Sequence, residues 1–129
     1  MSVDDEQAHL DGILREMNED GHFKASVLVS AEGLPICSAF SPFDSEMLAA
    51  MVSLVRSTVE QARENIGLDE VDEVSVVQGD KLRLVCRYFF VGGEELILAV
   101  VAPPHQTYRR LTNRALSRIK KALRRSARL

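Results

Sequence analysis

Three histidines, two cysteines, one trio of spaced charges and one pair of adjacent glycines are the residues whose chemistry has to be weighed first. Nucleophilic hydrolysis needs a hydroxyl or thiol with a base in reach and a third group orienting that base. His9 and His22 flank the first predicted helix and His105 follows Pro104 in a loop, so all three read as exposed helix-end or loop residues. Cys37 and Cys86 sit in apolar, strand-like runs without a cysteine or histidine at metal-ligand spacing. They read as small buried hydrophobes, with no disulfide expected. Gly92-Gly93 lacks the strand-loop-helix context and the Lys-Ser/Thr pair of a phosphate loop. No catalytic residue, cofactor site or metal site is expected.

The charged trio is Arg56, Glu60 and Arg63. On a helix the two arginines fall on nearly the same side, with Glu60 at helical spacing from both, which describes a solvated ladder of ion pairs. A second charge feature is larger. Residues 1–104 hold all 19 acids and 7 of the 16 bases, a net −12, whereas residues 105–129 hold the other 9 bases and no acid. Arg114, Arg118, Lys121 and Arg125 belong to this basic end.

These groups hang on a regular order of elements. Leu10, Ile13, Leu14 and Met17 recur at helical spacing, so Asp5 to Glu19 reads as an amphipathic helix ended by Gly21. Phe23 to Ala31 alternates as a strand, with Phe23, Ala25, Val27 and Val29 on one face. Glu32-Gly33-Leu34-Pro35 is a turn, and Ile36 to Phe40 is the return limb of a hairpin. Pro42 closes that limb, and Asp44 or Ser45 caps a helix running to Ile66 before Gly67. Val71–Gln78, Leu82–Val91 and Glu95–Ala102 read as an antiparallel meander turned by Gly79-Asp80 and Gly92-Gly93. Leu96–Ala102 is apolar on both faces and belongs in the middle of the sheet. A last helix spans Gln106 to Arg125.

The middle helix is too apolar for one contact. Met47 to Val55 reads MLAAMVSLV, in which only Ser53 is polar. Leu48, Val52, Val55, Val59, Ala62 and Ile66 make one stripe, and Met47, Ala50, Met51, Leu54 and Thr58 make a second beside it. Something must cover the second stripe.

The segment VLVSAEGLPICSA, then a helix, then a meander ending in LILAVVAPP, resembles the roadblock / dynein light chain family, in its bacterial MglB-like branch. The resemblance spans roughly residues 8–124 of one domain covering 1–129, and its most specific piece is the strand, EGLPI turn and strand. It implies an α+β three-layer sandwich of order α-β-β-α-β-β-β-α. Its five-stranded antiparallel sheet carries the middle helix on one face and the terminal helices on the other.

It further implies a homodimer, or a pair with a second roadblock chain, through Met47, Met51 and Leu54 of the middle helix and the edge strand Val74, Ser75, Val76 and Val77. A bare edge is an aggregation liability, and pairing across a two-fold axis removes it; Asp72 and Glu73 near its start would hinder wrong pairings. The resemblance implies a Ras-like small GTPase as partner, contacted through Arg56, Glu60 and Arg63. It implies regulation of that GTPase with no active site on this chain and no catalytic arginine. The alternative is an architectural dimer that leaves hydrolysis unchanged.

For the basic helix, the first reading is packing beside the acidic first helix. The second is an anionic membrane surface. Nucleic acid ranks last, because Tyr108 is the one aromatic nearby and the rest of the domain is acidic. With no apolar run near the roughly 18 residues of a membrane span and no signal-peptide pattern at the start, a cytoplasmic protein is expected.

Overall fold

In the computed structural model, described for residues 3–39 and 45–126, the apolar run Leu96–Ala102 lies in the central strand of a five-stranded sheet. The elements are α1 (Val3–Gly21), β1 (Ala25–Ser30), β2 (Pro35–Ala39), α2 (Ser45–Ile66), β3 (Glu73–Val77), β4 (Arg83–Val91), β5 (Glu94–Ala102) and α3 (Arg109–Ser126). Strand order is β2-β1-β5-β4-β3, every pairing antiparallel. Phe40, Pro42 and Asp44, assigned above to the end of the hairpin and the helix cap, lie outside the described residues.

The sheet divides the core in two, and the period-two rule assigns the side chains of β5. Leu96, Leu98, Val100 and Ala102 join Leu10, Leu14 and Ile119 beneath α1 and α3. Ile97 and Ala99 point the other way, to Val27, Val29, Ala49 and Val52 beneath α2. Because helices cover both faces, β1 is buried on both sides, and Ser26 is as inaccessible as its apolar neighbours.

Phe23 departs from the expected face. It precedes β1, and its ring belongs to the cluster under α1 and α3. Gly21 accommodates it: a Cβ there would stand 2.6 Å from the Phe23 ring and 2.9 Å from Leu111 Cδ1. The glycine ending α1 is therefore demanded by packing, while the left-handed backbone falls on His22 (φ 55°).

The EGLPI turn has a second role. Gly33 takes φ 90°, and a Cβ on it would approach Ser53 Cβ to 3.0 Å. Ser53, the one polar residue of MLAAMVSLV, is thus the small side chain on which the hairpin turn rests. Ile36 is an extra residue in β2, since Leu28 faces Cys37 and Val29 faces Pro35. At the other end of α2, Gly67 (φ 72°) donates its N–H to Arg63 O at 3.0 Å and closes the helix.

Two turns differ from expectation. Between β3 and β4 the left-handed residue is Lys81 (φ 75°) rather than Gly79 or Asp80. Gln78 N–H donates to Leu82 O at 2.7 Å across a three-residue loop, a form that puts its left-handed position last. The Pro103–Gln106 turn, with Gln106 N–H donating to Pro103 O at 3.4 Å, delays α3 to Arg109. Ile66, placed above in the first stripe of α2, is 71% exposed at the last residue of that helix.

Candidate interaction surface

The two stripes of α2 meet different fates. Val52 and Ala49 are fully buried and Leu48 packs at the margin of the core. Met47, Met51 and Leu54 are 62%, 51% and 62% exposed. An open groove of about 520 Å³ runs between this face and the β3–β4 ribbon, lined by Met47, Met51, Leu48, Leu84 and Val76. Met47 and Met51 of the second stripe are thus brought together with Val76 of the edge strand, while Leu54 is exposed on the same helix outside the groove lining.

Register explains which atoms that edge presents. Tyr88 N–H donates to Asp72 O and Gln78 N–H to Leu82 O, so the even positions of β3 bond to β4. By the alternation of an antiparallel ladder, the backbone groups of Glu73, Ser75 and Val77 face the open side. Side chains alternate as well: Val74 and Val76 lie on the α2 side, with Val74 packed against the core, while Glu73 turns to α3. Val77 is exposed, and the Ser75 hydroxyl donates to Glu73 Oε2 at 3.3 Å.

The opposite edge of the sheet is dressed. Gln7 and Asn18 of α1 donate their side-chain amides to Ile36 O and Ala39 O of β2, both at 3.0 Å. The two edges are therefore not equivalent: α1 overlies one, and β3 carries the apolar groove.

The charged trio does not form one ladder. Arg56 reaches across to Glu95 in β5, donating Nε at 2.8 Å and Nη2 at 3.2 Å. This hydrogen-bonded carboxylate holds the guanidinium above its ordinary pKa. Glu60 pairs with Arg63 at 3.2 Å, and Arg63 Nε donates to Asp69 O at 3.1 Å, tying down the loop after α2. Tyr88 lies below, its buried hydroxyl without a hydrogen-bond partner among the described residues and its pKa pushed up to about 12, chiefly by burial.

A second cluster escaped the sequence reading. Arg87 of β4 is only 4% exposed. It donates to Thr112 Oγ1 at 2.7 Å and Asn113 Oδ1 at 2.8 Å in α3, and its Nε stands 3.5 Å from Glu73. Glu73 also accepts from Tyr108 and, at 2.7 Å, from Arg109. Glu73 is thus turned inward as a counter-ion that fastens the edge strand to α3, and the duty of hindering wrong pairings does not fall to it. An arginine in the middle of the apolar run LVCRYFFV was the available signal, since a charge in a buried strand requires a partner.

The other sites follow their residue chemistry. Arg118 pairs with Glu16 of α1 at 2.8 Å, lowering the Glu16 pKa, whereas Arg114, Lys121 and Arg125 stay exposed. Both cysteines are buried and free, on opposite faces of the sheet, and burial pushes their thiols up to about 12. His9, His22 and His105 are exposed. Among the described residues no cluster of His, Cys, Asp or Glu is arranged to hold a metal ion, and no helix is long and apolar enough to cross a membrane.

An α+β domain of this order, with one helix alone on a face of a five-stranded antiparallel sheet, defines the class to which the chain belongs. The model of the Roadblock/LC7 domain matches residues 10–102, and the protein is a member of that family. Among solved structures, Myxococcus xanthus MglB is similar at 18% identity and TM-score 0.72, over 99% of this chain and 94% of that one. Gliding protein MglB from Thermus thermophilus is similar at 15% identity and TM-score 0.75, over 95% and 92%. A Roadblock/LC7 domain from Streptomyces avermitilis gives 22% and 0.72, over 88% and 93%. These likenesses are of fold. Comparison with curated protein sequences found no match.

Proposed function

We propose that two copies of this chain associate through α2 and β3, and that the pair binds a Ras-like small GTPase across its two α2 helices, regulating hydrolysis or placement without an active site of its own. The observation that carries the dimer is the continuity of the exposed Met47 and Met51 with Val76 of the β3 edge, with Leu54 exposed further along the same helix, at the same time as α1 overlies the other edge. Burying the exposed half of three such side chains stabilises an interface by roughly 1 kcal/mol each. A two-fold axis near Ser75 would pair the outward backbone groups of Glu73, Ser75 and Val77 with those of the partner strand and make one sheet of both. A solved structure described as MglB with tetrameric arrangement is consistent with assembly in this family.

The GTPase rests on the family resemblance carried by the EGLPI hairpin, which locates the partner platform on the paired middle helices. Commitment of Arg56 to Glu95 favours an activator that positions the GTPase's own residues over one that inserts an arginine. The same commitment fits a scaffold that holds its partner without altering turnover, or a heterodimer with another roadblock chain. The setting proposed is the cytoplasm.

The test is coexpression with each small GTPase of the same genome, followed by single-turnover GTP hydrolysis with the purified pair. Binding with faster turnover supports regulation, and binding with unchanged turnover selects the scaffold. Absence of binding across the whole set overturns the GTPase.

A further inference from the structure

We infer that the solvent face of α3 docks the protein on an anionic phospholipid surface, with α2 held on the opposite side of the sheet. α3 contains no acidic residue, and its apolar side, including Ala115, Leu116, Ile119 and Ala122, is already spent on the core. At 100° per residue, Arg110, Arg114, Ser117, Lys121, Arg124 and Arg125 fall in one stripe about 22 Å long. All five bases of that stripe are exposed, and none is within salt-bridge distance of a carboxylate among the described residues, although Arg114 lies within electrostatic reach of Glu16; of the α3 bases that are paired, Arg109 lies off the stripe and Arg118 borders it. A groove of about 340 Å³ adjoins the stripe, where Lys120, Lys121 and Arg124 meet Asn113 and Ser117. It has room for a phosphate headgroup. Asp72 on its other rim is 3.6 Å from Arg109.

The form of the face selects the occupant. No large exposed hydrophobic residue lies on α3 among the described residues, so attachment is electrostatic and shallow rather than inserted. α1 packs alongside α3, with Glu16 bonded to Arg118, so α3 does not stand free of its neighbour to enter a DNA major groove. No aromatic ring nearby is free to stack on a base: Tyr108 lies under Arg83 and bonds Glu73, Phe89 is buried under Lys120, and Tyr88, which also borders the groove, belongs to the core under α2. A flat anionic surface needs neither a groove nor stacking, and the unpaired stripe of α3 can face it directly.

The stripe belongs to each chain. Its doubling rests on the dimer proposed above, in which β3 pairing would bring two α3 helices together, since each lies over β4 beside that edge.

The experiment is cosedimentation of the full chain with phosphatidylcholine vesicles containing 30% phosphatidylserine, and with phosphatidylcholine alone. Binding to the anionic vesicles at 50 mM salt, lost at 500 mM and absent from the neutral vesicles, is the expected result. Arg114→Gln with Lys121→Gln should weaken it at least tenfold per chain with unchanged circular dichroism. Leu54→Asp, which should separate the dimer, keeps the stripe and should retain weaker binding. If the native chain is monomeric yet binds, the dimer fails and the lipid face stands. No binding to anionic vesicles at low salt overturns it, as does equal binding by the Gln variant. Tighter binding to a 30-nucleotide single strand than to the vesicles would overturn it in favour of nucleic acid.

Discussion

Arg56 of α2 and Glu95 of β5 are joined by two hydrogen bonds, 2.8 and 3.2 Å long, that bind the lone helix of one layer to the central strand of the sheet. Planar, two-point recognition of a carboxylate is what a guanidinium does best, and here it fixes the helix that carries the apolar face. Arg56→Ala should lower unfolding free energy by about 1 kcal/mol, since the pair is partly open to solvent. Arg56→Lys should recover less than half of the loss. Urea titration of the two variants measures both, and equal stability of all three chains would show the bridge to be idle.

Ser75 should be the most sensitive position of the open edge. Proline there removes a donor that an outward-facing residue of β3 would offer a partner strand, while the even positions that bond to β4 keep theirs. Ser75→Pro is expected to sediment as a monomer with near-native circular dichroism. Met51→Asp should do the same from the helix side, because a charge in a desolvated contact is costly. An intact dimer in both variants would place the interface elsewhere.

Glu73 is the counter-charge of a nearly inaccessible arginine. Removing it by Glu73→Ala leaves Arg87 with its neutral acceptors Thr112 and Asn113 only, and should cost about 3 kcal/mol. The paired change Glu73→Ala with Arg87→Met should recover much of that loss. A double-mutant cycle in urea reports the coupling.

Stability should fall in alkali. Cys37, Cys86 and Tyr88 have pKa values pushed up to about 12 in the native state, against ordinary values of 9.0 for the thiols and 10.0 for the phenol. Between these values the unfolded chain has released protons that the native chain retains, so unfolding free energy decreases as pH rises from about 9 towards 12. It is insensitive to these groups below 9. Urea midpoints at pH 7 and 10.5 should differ by more in the native sequence than in Cys86→Ala.

Much of the architecture was legible in the chain because periodicity is local. The 3.6-residue recurrence of Leu10, Ile13, Leu14 and Met17 and the double-sided apolarity of Leu96–Ala102 each state which faces are buried, and the fold placed both accordingly. The exposed flank Met47, Met51 and Leu54 was legible for the same reason, as an excess of apolar residues over what one contact can use.

Pairs between distant residues were not. Helical spacing linked Glu60 to both Arg56 and Arg63, yet Glu95 stands closer to Arg56 once β5 lies under α2. Glu73 looked like a guard on an open edge until register set it opposite Arg87 and α3 brought Tyr108 and Arg109 over it. Gly21 looked like a helix stop, and packing of Phe23 gave its smallness a different reason.

By itself the sequence determined the element order, the two-faced burial of β5, the surplus apolar stripe of α2 and the concentration of positive charge in the last helix, because each is a property of residues near one another along the chain. Only the tertiary structure decided which edge of the sheet stands beside the apolar groove, which arginines are committed to carboxylates, and which basic residues remain on a free face. Those outcomes depend on strand register and on how helices lie across the sheet, and neither is written in any single segment.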